Sequence, residues 1–160
     1  MMNGGKYRWF ASTIGLAILA LDQLTKWLLL VQWLSPERPM IEVTSFFDVV
    51  LVWNTGISFG LFSAAHEPLL LTAVSGVVVA VLLVWLMRNN SRLVAVALGC
   101  VIGGAAGNVI DRLRFGAVTD FLDFHLGHYH WPAFNIADSS IFIGVVLLCI
   151  SSMLATHTKS

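Results

Sequence analysis

Asp120, in Val118-Thr119-Asp120-Phe121, is a carboxylate set among large apolar residues, and Asp138, in Phe134-Asn135-Ile136-Ala137-Asp138-Ser139, is a second one at the threshold of the last apolar stretch. Two carboxylates that share a site cannot both ionise cheaply, so one keeps a proton near neutral pH while the other is a base. That division of labour suits the splitting of an amide by water: the base takes a proton from the water and the acid gives one to the carbonyl oxygen. Neither a metal nor a covalent intermediate is required, and no cofactor is called for. Taken alone, Asp138 reads equally well as the N-cap of the helix that follows it. The combination favours chemistry. Asp120 follows the third apolar stretch of the chain and Asp138 opens the fourth, so a connection that leaves and returns on one membrane face brings the two together.

The remaining charged groups read as support. Asp22 and Lys26 lie one helical turn apart, acid before base, inside an apolar run, and are expected to form a structural pair. Asp22→Asn is therefore expected to harm stability first. Asn108, Asp111 and Arg112 share a helix face and read as a helix-end cluster, with Arg112 offering a planar fork of donors to a carboxylate. His125, His128 and His130 with Asp123 match no standard zinc spacing and read as polar surface. A Ser-Lys dyad would have to recruit Lys26 from Asp22, and no buried serine motif accompanies a histidine. Cys100 and Cys149 each sit in an apolar run, where a thiol behaves as a small hydrophobe.

These residues must be held by elements suited to lipid. Of the 160 residues 58% are hydrophobic and only 11% charged, with a formal net charge of zero, so neither a soluble globule nor a nucleic-acid binder is indicated. Mean hydropathy is +0.83. A helix crossing the hydrocarbon core needs roughly 20 mostly apolar residues. Four stretches qualify, at about 9–33, 68–87, 93–110 and 136–155. The first carries Asp22 and Lys26 and lacks a small-residue cleavage site, so it reads as a mature span rather than a signal peptide. Gly99, Gly103 and Gly107 give the third a face that another helix can approach closely. Lys6, Arg8, Arg88, Arg92 and Lys159 fall on one side of the membrane against Arg38, Arg112 and Arg114 on the other, which predicts both termini inside. The outer segments are then about 34–67 and 111–135. The first is rich in β-branched and aromatic residues and predicts short strands, with Asn54-Thr55-Gly56 ending one and Gly60 allowing a further bend. The stretch 116–124 reads as a loop. The whole is a single integral-membrane domain: a membrane all-α bundle of four transmembrane helices with a small extracytoplasmic β-rich cradle.

A proton-coupled carrier also buries Asp and Asn, and a glycine face suits a moving helix, but four spans are few for a carrier and the acids gather at one end instead of the midplane. A scaffold protein would leave the two acids unexplained. Leu21-Asp22-Gln23-Leu24-Thr25-Lys26, Asn54-Thr55-Gly56-Ile57-Ser58-Phe59-Gly60, Gly104-Ala105-Ala106-Gly107-Asn108-Val109-Ile110-Asp111-Arg112 and the two blocks around Asp120 and Asp138 resemble, in order, the motifs of the bacterial lipoprotein signal peptidases, the type II signal peptidases. Thr119, where many members carry an aliphatic residue, is a mild departure. The resemblance implies an aspartyl endopeptidase of the bacterial cytoplasmic (inner) membrane, with its active site toward the extracytoplasmic face. It would cut prolipoproteins just before a diacylglyceryl-modified cysteine. By similarity Asp120 and Asp138 are the catalytic pair, and Asp22, Asn54, Gly56, Asn108, Asp111, Arg112 and Asn135 organise the site or contact substrate. The implied partners are lipid-modified prolipoproteins, membrane lipids and globomycin-type cyclic peptide inhibitors, and no oligomer is required.

Overall fold

The computed structural model describes residues 5–56 and 67–157. The bend expected at Gly60, the motif residues 57–60 and Lys159 lie outside them, as does the side chain of Lys6. Four helices are long and apolar enough to cross a membrane: α1 (Gly5–Leu28), continued by a π turn over Leu29–Trp33, then α2 (Glu67–Arg88), α3 (Arg92–Phe115) and α4 (Ile136–His157). Their outer faces carry side chains that water would not tolerate in such numbers, among them Leu69, Val77, Phe142 and Met153. α3 starts at a Ser91 N-cap and runs past the expected end near residue 110 to Phe115, where Gly116 in the left-handed conformation (φ 73°) returns its N–H to the Arg112 carbonyl.

α3 is the central helix, packed against α4, α1 and α2. Glycine makes this possible on two sides. A Cβ at Gly103 would stand 2.5 Å from the Gly15 carbonyl oxygen of α1, and one at Gly104 would strike Ala137 and Ser140 of α4. Gly103→Ala is expected to push α1 and α3 apart and cost ~1–3 kcal/mol by overpacking. Gly76 on α2 meets nothing within 4 Å, so Gly76→Ala is the matched control and should be neutral or stabilising. Thermal unfolding in detergent micelles separates the two; equal melting temperatures for both variants would remove the packing role of Gly103.

The connections α1–α2 and α3–α4 carry the strands, so the sheet lies at one end of the bundle. Strands β1 (Met40–Thr44), β2 (Phe47–Asn54), β3 (Val118–Leu126) and β4 (Tyr129–His130) form one antiparallel sheet in chain order. The stretch around Asp120, expected as a loop over 116–124, is therefore a strand. Its β-branched and aromatic residues find a partner in β2, about seventy residues earlier in the chain. Between the pairs Val49↔Leu122 and Val52↔Asp120, β2 advances one residue more than β3, a bulge that alters the aim of the last residues of β2 beside Asp120. Phe47, Phe124 and Phe134 pack ring against ring on the sheet, and Trp53 packs on Phe115 at the end of α3.

Candidate active site

Asp120 is 1% exposed. Its Oδ1 accepts from Asn135 Nδ2 at 2.7 Å and its Oδ2 from Asn54 Nδ2 at 2.8 Å. Asn54, diagonal to Asp120 across the β2–β3 pair, has its own orientation set by the Gly56 N–H, which donates to Asn54 Oδ1 at 2.8 Å. Gly56 has φ 95°, which a side chain would strain.

Asp138 is the third residue of α4, and the N-cap is Asn135 rather than Asp138. Asn135 Oδ1 accepts from the Asp138 N–H at 2.9 Å and the Asn135 N–H returns to Asp138 Oδ2 at 3.2 Å, a reciprocal capping box. The other oxygen of Asp138 accepts from Asn108 Nδ2 at 2.7 Å. Asn135, wholly buried, thus touches both carboxylates and also donates to Asn108 Oδ1 at 3.2 Å and the Thr119 carbonyl at 3.3 Å. One side chain sets the two acids relative to each other.

Behind this layer lies an ionic one. Lys26 Nζ sits between Asp22 Oδ2 at 2.8 Å and Asp111 Oδ2 at 2.9 Å, all three buried. Asp22 also accepts from the Ala137 N–H at 3.0 Å, which ties α1 to the first turn of α4. Asp111 accepts from Gln23 Nε2 at 2.8 Å and from the Thr119 N–H at 3.0 Å, which ties α3 to β3. The expectation that Arg112 would offer its fork to a carboxylate is corrected: Asp111 is satisfied by Lys26, Gln23 and Thr119. Among the described residues Arg112 has no ion pair, its Nη1 reaching only the Asn108 carbonyl at 3.5 Å. The guanidinium instead stands beside Gly56, within electrostatic reach of Asp138, Asp120 and Asp111. A helix places residues one apart on different faces, so Asp111 looks toward α1 while Arg112 looks toward Gly56.

Gln23 and the Thr119 backbone are structurally central here, and neither is marked by residue type as part of the site. Gln23 lies inside the block with Asp22 and Lys26, which was the available signal; the Thr119 amide has no side-chain signature. The Thr119 side chain is itself buried, its hydroxyl without a partner among the described residues. Asp123 lies away from the acids, paired with His130 at 2.8 Å, while His125 faces Asp48 at 3.1 Å and stacks on His130.

Burial, opposed by the Asn54 amide and reinforced by the charge of Asp138, pushes the Asp120 carboxyl up to about 6. A carboxyl raised from its ordinary 3.8 binds its proton more tightly folded than unfolded. Its contribution to stability is therefore full at acid pH and is lost as pH rises through about 6. Thermal melting measured from pH 4 to 7.5 should fall more steeply for the unaltered protein than for Asp120→Asn; parallel curves would contradict the burial account.

A family model described as signal peptidase (SPase) II matches residues 14–154. The lipoprotein signal peptidase of Methylorubrum extorquens (strain PA1) is 48% identical over 141 residues, covering 86% of this chain and 82% of that protein. The one from Rhodopseudomonas palustris (strain TIE-1) is 45% identical over 142 residues, 85% of this chain and 87% of that protein. A bacterial membrane enzyme solved by the in meso method superposes with a TM-score of 0.80 at 28% identity, covering 94% of this chain and 92% of that one.

Proposed function

The chain belongs to the signal peptidase II family, and from that premise we propose that it is an aspartyl endopeptidase that removes the signal peptide from diacylglyceryl-modified prolipoproteins, cutting just before the lipidated cysteine. The observation that carries the aspartyl reading is the bridge through Asn135, which holds Asp120 and Asp138 in one hydrogen-bonded unit. In this reaction one carboxyl of the pair acts in its ionised form and the other in its protonated form. A water held between them loses a proton to the ionised member as its oxygen attacks the scissile carbonyl. The protonated member donates to the carbonyl oxygen, giving a tetrahedral diol. Collapse of the diol moves a proton to the leaving amine and returns the pair to its starting state. An Asp120 carboxyl near 6 is poised for such exchange, because a group that titrates near the working pH can both hold and release its proton.

Asn54, Gly56, Asn108 and Asn135 hold the acids, while Asp22 and Asp111 anchor the elements that carry them. Arg112, charged and without an ion pair among the described residues, is free to meet a substrate carbonyl. The excess of Lys and Arg at the opposite end of the bundle supports a cytoplasmic location for both termini. The sheet then forms an extracytoplasmic cradle on the bacterial inner membrane. The diacyl chains keep the substrate in the bilayer and deliver its scissile bond at interface depth, so orientation comes from partitioning as much as from contacts. Globomycin-type cyclic peptides are the expected inhibitors, and a single chain suffices.

The test is cleavage of a synthetic peptide bearing an S-diacylglyceryl cysteine by the purified protein in nanodiscs, with products read by mass. One new N-terminus at the lipidated cysteine is expected, with no cut in the unlipidated peptide. Cleavage elsewhere, or equal cleavage of both peptides, would overturn the assignment.

A further inference from the structure

Two clefts each have one carboxylate of the pair in their lining, and they differ in chemistry. On the Asp120 side is a crevice of about 360 Å³ lined by Trp53, Asn54, Thr55 and Gly56, with Pro132 and Ala133 opposite. On the Asp138 side is a groove of about 410 Å³ whose walls are Trp131, Phe134, Phe142 and Ile143, with Asp138 and Ser139 at its head. Trp131 and Phe142 are 69% and 71% exposed, so the groove opens sideways rather than into the bundle. Phe142 and Ile143 follow Asp138 by four and five residues, which at the helical rise sets them ~6–7.5 Å deeper along α4. The groove therefore starts at a candidate catalytic carboxylate and descends along a membrane-spanning helix. Two further largely apolar clefts between helices, one lined by Ala11, Gly15, Leu83, Leu86 and Gly99 and one by Trp27, Leu30, Val31 and Phe115, reach neither carboxylate.

We propose that this groove seats an acyl chain of the substrate's diacylglyceryl group, with Phe142 and Ile143 as residues that determine lipid specificity. The inference rests on the reading that the cut precedes a lipidated cysteine. In such a substrate the thioether sulfur is separated by a single methylene from the α-carbon that bears the cleaved amide nitrogen, so the glyceryl group cannot leave the neighbourhood of the acids. An acyl chain gains less from the mixed crevice on the Asp120 side, where Asn54, Thr55 and Asp120 stand beside Val52, Trp53 and Pro132, than from the aromatic and aliphatic groove, which has Asp138 at its head and the depth of the hydrocarbon below.

Two measurements test it. A lipopeptide with a diazirine in its acyl chain, bound to Asp120→Asn protein and irradiated, should label Trp131, Phe142 or Ile143; label confined to α2 or to the α1–α3 cleft would overturn the proposal. Ile143→Trp should fill the groove and raise KM about tenfold for a dipalmitoylglyceryl substrate, the loss of roughly two buried methylenes, with kcat unchanged. A dibutanoylglyceryl analogue should be nearly unaffected by it. An equal loss on both substrates, or none on either, would also overturn the proposal. Failure of the unaltered protein to cut either lipopeptide refutes the proposed function instead, and the photolabel then still reports whether acyl chains occupy the groove.

Discussion

Asp120→Asn and Asp138→Asn should each lower cleavage of a lipidated peptide by ~10²–10⁴-fold, the range that positioned acid–base groups supply. The double variant should be little worse than the poorer single one, because residues acting as one unit are not additive. The asparagine substitution is not silent in structure. Both oxygens of Asp120 accept from amide donors, Asn54 and Asn135. Neither donor can turn its oxygen inward without losing the Gly56 or Asp138 N–H that its own Oδ1 accepts. An NH₂ at position 120 therefore faces a donor, at ~1–3 kcal/mol for an unmade buried hydrogen bond. The same holds at position 138, whose oxygens accept from Asn108 and from the Asn135 N–H. Melting temperature and binding of an uncleaved lipopeptide must accordingly be measured beside turnover. A folded variant that binds substrate and still cuts it within about tenfold of the unaltered rate is outside the acid–base range and would exclude the pair from the chemistry.

Lys26→Met is expected to be the most destabilising substitution away from the acids. The ammonium lies between two buried carboxylates, 2.8 Å from Asp22 and 2.9 Å from Asp111. Removing one partner of a buried ion pair typically costs ~3–5 kcal/mol, since the charge left behind has neither water nor counter-ion. Here two are left. Asp22→Asn should cost less, because Lys26 keeps Asp111 and the remaining oxygen can still receive the Ala137 N–H. The combination Asp22→Asn, Lys26→Met, Asp111→Asn should recover much of the loss by removing the charges together. Thermal unfolding orders the variants. If Lys26→Met melts with the unaltered protein, the ionic layer is not what joins α1 to α3 and α4.

How far the sequence reaches can be judged residue by residue. Hydropathy is a local property, and the runs that became α1 to α4 were visible because lipid demands continuous apolar length. The glycine face of α3 was likewise legible, since close approach requires the absence of a Cβ, although only the structure shows that Gly99 and Gly103 turn to α1 while Gly104 turns to α4. Asp120 and Asp138 stood out because ionisable groups amid apolar residues are costly and so ask for a purpose.

Pairing was not legible. β3 looked like a loop because a strand is stabilised by a neighbour that its own residues do not reveal, here β2. Asp111 and Arg112 read from the sequence as members of one helix-end cluster, yet a helix turns consecutive residues to different faces and gave Asp111 to Lys26. Asn135 was one of several site-organising residues in the sequence; tertiary structure made it the cap of α4 and the bridge between the acids. Residue type and lipid solubility were thus set by the sequence alone: four apolar helices and two acids in costly places. Which donor faces which acid was decided only when α3 packed between α1 and α4 and β3 closed against β2, because a hydrogen bond depends on positions a few ångströms apart that can be any distance apart along the chain.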